Sequence, residues 1–137
     1  MEITGEIDLT ETQRSQIELH TFLNMLNILL AEMEHIRKDL DSPDALPESA
    51  SLTRWILVAV RNGDLGRSHA LKLASIGFFF SREIHEELAY KPEYARNPEL
   101  QESIGNVNTI ISVLTLRLQE YFDRQESGVA WIPHSVK

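Results

Sequence analysis

The chain has 137 residues, 42% of them hydrophobic and 7% aromatic, with a formal charge of −8 and no cysteine. That length suits a single domain with a real core, and the lack of cysteine excludes disulfides, thiolate catalysis and cysteine metal sites. The negative charge repels a phosphate backbone and no basic cluster offsets it, so nucleic acid is not an expected partner.

Met1 to Asp8 is acidic and lacks the apolar stretch of a signal peptide, and no apolar run in the chain approaches the ~20 residues of a membrane span. A cytoplasmic protein with no membrane partner is expected. Few glycines and long Leu-, Ile-, Glu-, Gln- and Arg-rich segments favour helices over strands. The first helix is predicted over 10–41: Thr10 can cap it with Gln13 reaching back, and Asp41-Ser42-Pro43-Asp44 stops it. Positions 19, 23, 26, 30, 33, 37 and 40 alternate steps of four and three, and all but Arg37 are apolar. With Phe22, Leu29 and Ile36 they make one broad apolar stripe. His20, Asn24, Asn27 and Ala31 make a separate polar stripe, centred roughly 130° away at 100° per residue, which puts His20 at the edge of the packed face or outside it.

A second helix is predicted over 47–61 with Leu52, Trp55, Ile56 and Ala59 inward. Asn62-Gly63-Asp64 supplies its stop and a fresh cap, or else a kink within one longer helix. The third helix, over 64–90, buries Ala70, Leu73, Ile76, Phe80, Ile84 and Leu88. After a loop, Asn97 as cap and Pro98 at the first helical position open a last helix over 98–125. Its seam runs through Leu100, Ile104, Val107, Ile111, Leu114, Leu118 and Tyr121. Residues 127–137 read as an extended tail, with Trp131 tucked against the helices or docking a partner.

Two long heptad-like helices with two helices between them give an all-α fold, an antiparallel four-helix bundle in which the first and last helices pair. The spacing is equally compatible with one chain forming the bundle and with a dimer sharing the long first and last helices. The expected domain organisation is one helical domain over 1–137.

His20 is the residue with the most chemistry to offer. A phosphoacceptor histidine presents a ring nitrogen to solvent from a rigid element and leaves room for an aspartate-bearing partner. The segment His20-Thr21-Phe22-Leu23-Asn24-Met25-Leu26, continued by Ile28 and Leu29, resembles the phosphoacceptor helix of sensor histidine kinase dimerisation domains. The match lies in the His, the Asn four residues on and the apolar spacing. Histidine phosphotransfer proteins are the nearest functional analogue. The resemblance implies His20 as phosphoacceptor, Asn24 as the orienting amide, and as partners a response-regulator-like protein and a second copy of the chain. The chain departs from that family at Thr21, which stands where the family carries an acidic residue and weakens autokinase activity more than phosphotransfer, and no glycine-rich ATP lid is present, so autokinase activity is not expected. The competing expectation is a non-catalytic helical scaffold that binds another protein and in which His20 is dispensable.

The remaining candidates carry less. Glu32 and His35 have the Glu-x-x-His spacing of di-iron bundles, but a second such pair is missing, since His85 follows Glu83 by only two residues. His69, His85 and His134 are dispersed. No metal or other cofactor is expected, and neither a Ser-His-Asp signature nor a phosphate-cradling glycine loop supports a hydrolase.

Overall fold

A computed structural model describes residues 11–131, with side chains from 13 to 125. Four α-helices follow one another: α1 Glu11–Asp39, α2 Pro47–Asn62, α3 Arg67–Tyr90 and α4 Pro98–Trp131, with a short 3-10 turn at Pro92–Arg96. Each packs on the next and α4 returns to α1, so a single chain closes an antiparallel four-helix bundle. No strand occurs among the described residues.

The core is set by helical periodicity. On α1, Phe22, Leu26, Leu29, Met33 and Ile36 are buried, as is Leu40 just past its end, while Leu19, Leu23 and Leu30 flank them half-buried. They meet Leu73, Ile76, Phe80 and Ile84 of α3 and Leu100, Val107, Ile111, Leu114 and Leu118 of α4 in one cluster. Each fully buried side chain of this size contributes roughly 1.5–3 kcal/mol relative to exposure. The Phe22 and Tyr121 rings meet edge to face, 5.5 Å apart between centroids.

Two helix ends close by the same device. The Asp64 N–H donates to Ala59 O and the Gly63 N–H to Val60 O, with Gly63 left-handed at φ 76°. At the end of α1 the Ser42 N–H donates to Arg37 O and the Asp41 N–H to Lys38 O, with Asp41 left-handed at φ 53°. Both are Schellman closures, and only the first uses glycine. Arg37, the one charged residue in the α1 heptads, donates from Nε to Ala45 O at 2.6 Å. Lys91 Nζ donates to Leu40 O at 2.6 Å and to Asp41 O at 3.1 Å. These two cations pin the α1–α2 connection from either side, which is why a charge is tolerated on the seam.

Three expectations need correction. Asp64 does not cap the third helix: it belongs to the closure of α2, and α3 starts at Arg67. Gly66 holds the N-cap position and, having no side chain, is served by His69, whose Nδ1 accepts the Gly66 N–H at 2.9 Å. Trp55 does not point inward; it is 43% exposed and its ring stacks on His69, 4.3 Å between centroids. The last helix does not end near Gln125, and the expected tail is helical over 127–131. Its remainder, the Trp131 side chain and Thr10 lie outside what the structure describes. Asn97 caps α4, its Oδ1 accepting the N–H groups of Glu99 at 2.9 Å and Leu100 at 3.2 Å.

Candidate functional site

His20 lies on α1 about 160° from the buried stripe at 100° per residue, further round than the sequence estimate, because the core centres on Phe22, Leu29 and Ile36 rather than on Leu19, Leu23 and Leu30. It is exposed, as are Asn24, Asn27 and Ala31 on the same face. Among the described residues neither the His20 nor the Asn24 side chain takes part in a hydrogen bond or ion pair. The structure therefore places the two groups one helical turn apart, side by side and both open to an incoming molecule.

The surroundings are uncharged. Glu18 is the one ionisable acid or base besides His20 between residues 15 and 31, and it turns toward α4 to pair with Arg124. Gln13, Gln16, Ile17, His20 and Thr21 line a shallow open depression of about 420 Å³. Ile17 is 54% exposed and Ile28 is 52% exposed, so apolar surface stands on both sides of the histidine along the helix. The Thr21 hydroxyl donates to Ile17 O at 3.0 Å, which ties it to its own helix.

What holds this helix still is its seam with α4. Arg124 pairs with Glu18, and Gln125 Nε2 donates to Ser15 Oγ at 2.9 Å. Between them Tyr121 is buried, and burial pushes its phenol above the ordinary value of 10.0; the nearby Glu18 charge acts the same way, while a hydrogen bond with Ser15 and the Arg124 charge oppose it. The far side of α1 is thus locked by packing and polar contacts, and the His20 face is left clear.

The other candidates are accounted for by structure. Glu32 and His35 form a loose surface pair at 3.9 Å. His85 is exposed, His69 is taken up by Gly66 and Trp55, and His134 lies outside the described residues. Among the described residues no three His, Asp or Glu side chains converge as a metal set would. Glu83, unremarkable in the sequence, is 5% exposed and reaches across to α2, where its carboxylate accepts the Glu48 N–H at 2.8 Å and the Ser49 N–H and hydroxyl at 3.2 and 2.6 Å. No pattern along the chain announces it, because the partner donors are 34 and 35 residues away.

No helix among the described residues is long and apolar enough to cross a membrane. Comparison with family models, curated proteins and solved structures gives no match to this chain.

Proposed function

We propose that this chain is a histidine phosphotransfer protein, in which His20 exchanges a phosphoryl group with an aspartate of a response-regulator-like partner. The observation that carries the reading is the outward projection of His20 from a rigid helix, with both ring nitrogens free of protein hydrogen bonds among the described residues. A neutral imidazole has one lone-pair nitrogen and one N–H. The lone pair attacks phosphorus, the bond from phosphorus to the aspartyl oxygen breaks, and its electron pair leaves with the carboxylate while the far nitrogen keeps its proton.

Asn24 presents its amide N–H groups to the phosphoryl oxygens from one turn away. The absence of carboxylates along the outward stripe spares the phosphoryl dianion like-charge repulsion. Ile17 and Ile28 supply apolar area for the partner on either side. Because Thr21 offers no carboxylate to the imidazole, the proposal is transfer and not autokinase activity. The reading places the protein in the cytoplasm, and a homodimer is compatible with it when formed on a face other than this one.

The test uses two phosphoryl donors, phosphoramidate and a phosphorylated response regulator. The expected product is acid-labile, alkali-stable phosphate on His20, abolished in His20→Ala. Persistent labelling of His20→Ala moves the site elsewhere and sinks the assignment. The exposed Ile17 and Ile28 favour a second reading, a non-catalytic scaffold; in that case Ile17→Asp with Ile28→Asp abolishes partner capture, whereas His20→Ala and Asn24→Ala leave it unchanged.

A further inference from the structure

At the other end of the α1–α4 seam, the two helices bound a groove of about 320 Å³. Glu32 and Asp39 line it from α1, and Glu99 and Glu102 line it from α4. Asp39, Glu99 and Glu102 form no ion pair with any described residue, and Lys38, the only lysine or arginine in the wall, reaches none of them within bonding distance. An acid in the first turn of a helix is stabilised by its dipole, which accounts for Glu99 without any ligand.

The dipole does not account for Ser103. This residue faces the groove, is only 8% exposed, and its hydroxyl has no hydrogen-bond partner among the described residues. The two other buried serine and threonine hydroxyls of the bundle are both engaged, Thr53 donating to Ser49 O at 2.7 Å and Ser49 to the Glu83 carboxylate at 2.6 Å. The Ser103 hydroxyl is thus left to a partner that comes from the groove. A donor entering the groove satisfies it.

The chemistry of the walls selects the donor. The carboxylates are spread along the groove and do not converge as a metal set, so they suit a ligand whose positive charges are separated. No large exposed apolar side chain lines the groove to anchor a protein or peptide, and its volume is at the small-molecule end of binding sites. We propose that this groove binds a linear aliphatic polyamine, with ammonium groups against Glu32 and Asp39 on one wall and Glu99 and Glu102 on the other, and an amine N–H donated to Ser103 Oγ. The site is separate from His20 and does not depend on the phosphotransfer reading.

Titration calorimetry of the whole chain with spermidine tests it, with Mg²⁺ and tetralysine as comparison probes. The expected result is saturable one-to-one binding that weakens with ionic strength. Ser103→Ala, which removes an unpartnered hydroxyl and keeps the fold, weakens spermidine about fivefold. Glu99→Gln with Glu102→Gln, both at exposed positions, weakens it at least about tenfold. Unchanged affinity in Ser103→Ala, or displacement of spermidine by Mg²⁺ at equal charge concentration, reduces the groove to diffuse counter-ion attraction and overturns the proposal. Tighter binding of tetralysine than of spermidine overturns it in favour of a basic peptide.

Discussion

Glu83 and Ser49 share two hydrogen bonds across the α2–α3 interface, the carboxylate oxygen Oε1 accepting both the Ser49 N–H at 3.2 Å and the Ser49 hydroxyl at 2.6 Å. The residue at the N-cap of α2 is Leu46, left-handed at φ 59° and unable to cap anything. Its task is done from the neighbouring helix, with Oε2 taking the Glu48 N–H as well. A negative group at a helix N-terminus also meets the favourable end of the dipole. Arg82, next to Glu83 in sequence, pairs with Glu48 at 2.5 Å and reinforces the same junction from outside.

Glu83→Ala removes that cap and leaves buried donors unmade, so a loss of about 2–4 kcal/mol is expected. Glu83→Gln keeps one acceptor oxygen and costs less, about 1–2 kcal/mol. Urea unfolding of the three proteins orders them; equal stability of Glu83→Ala and the parent chain contradicts the capping role.

The two Schellman closures respond in opposite directions to substitution. Gly63→Ala forces a Cβ into the left-handed region at φ 76° and is expected to cost about 1 kcal/mol, although nothing crowds the added atom. Asp41→Gly relieves the same strain at φ 53° and gains about 0.5–1 kcal/mol. Thermal midpoints measured at one pH check the signs.

Tyr121 gives the bundle an alkaline limit. Its phenol titrates above 10.0 in the folded chain because burial disfavours the phenolate, whereas the unfolded chain ionises at the ordinary value. The unfolded state therefore binds fewer protons above that pH, and stability, fully present below it, falls as pH rises toward the folded value. Tyr121→Phe is expected to flatten the denaturation midpoint against pH between about 9.5 and 11. A slope identical to the parent chain's assigns the alkaline loss to other groups.

His20→Ala touches no described contact, so its stability is expected to stay within about 0.5 kcal/mol of the parent while phosphoryl labelling disappears. Asn24→Ala keeps the label but changes its lifetime, read by following loss of phosphate after the donor is removed. A His20→Ala chain that unfolds several degrees early shows that the imidazole packs against something.

What could be read along the chain was what adjacent residues decide. Asn97-Pro98 opens a helix and Asn62-Gly63 closes one because the chemistry is local, and the four-three spacing of α4 points its leucines at the core whatever the partner is. Trp55 escaped because its apolar ring satisfies the inward pattern, yet it stacks on a histidine that is itself held by Gly66. Glu83 and Ser103 escaped for the complementary reason: one is buried with three donors from another helix, the other with none, and a single sequence gives both the look of ordinary surface polar residues. For the site, the direction in which His20 points was legible from the period of the leucines, whereas the clasp behind it, Glu18 with Arg124 and Ser15 with Gln125, depends on pairs 106 and 110 residues apart.

That separation has a kinetic consequence. Closing a loop of more than a hundred residues costs more entropy than closing the short α1–α2 and α2–α3 connections, so the α1–α4 seam is the step least favoured early in folding. Until α4 docks, the buried stripe of α1 has only part of its cover. The helix that carries His20 is thus clasped last, and its final setting in the bundle reports that the whole chain has folded.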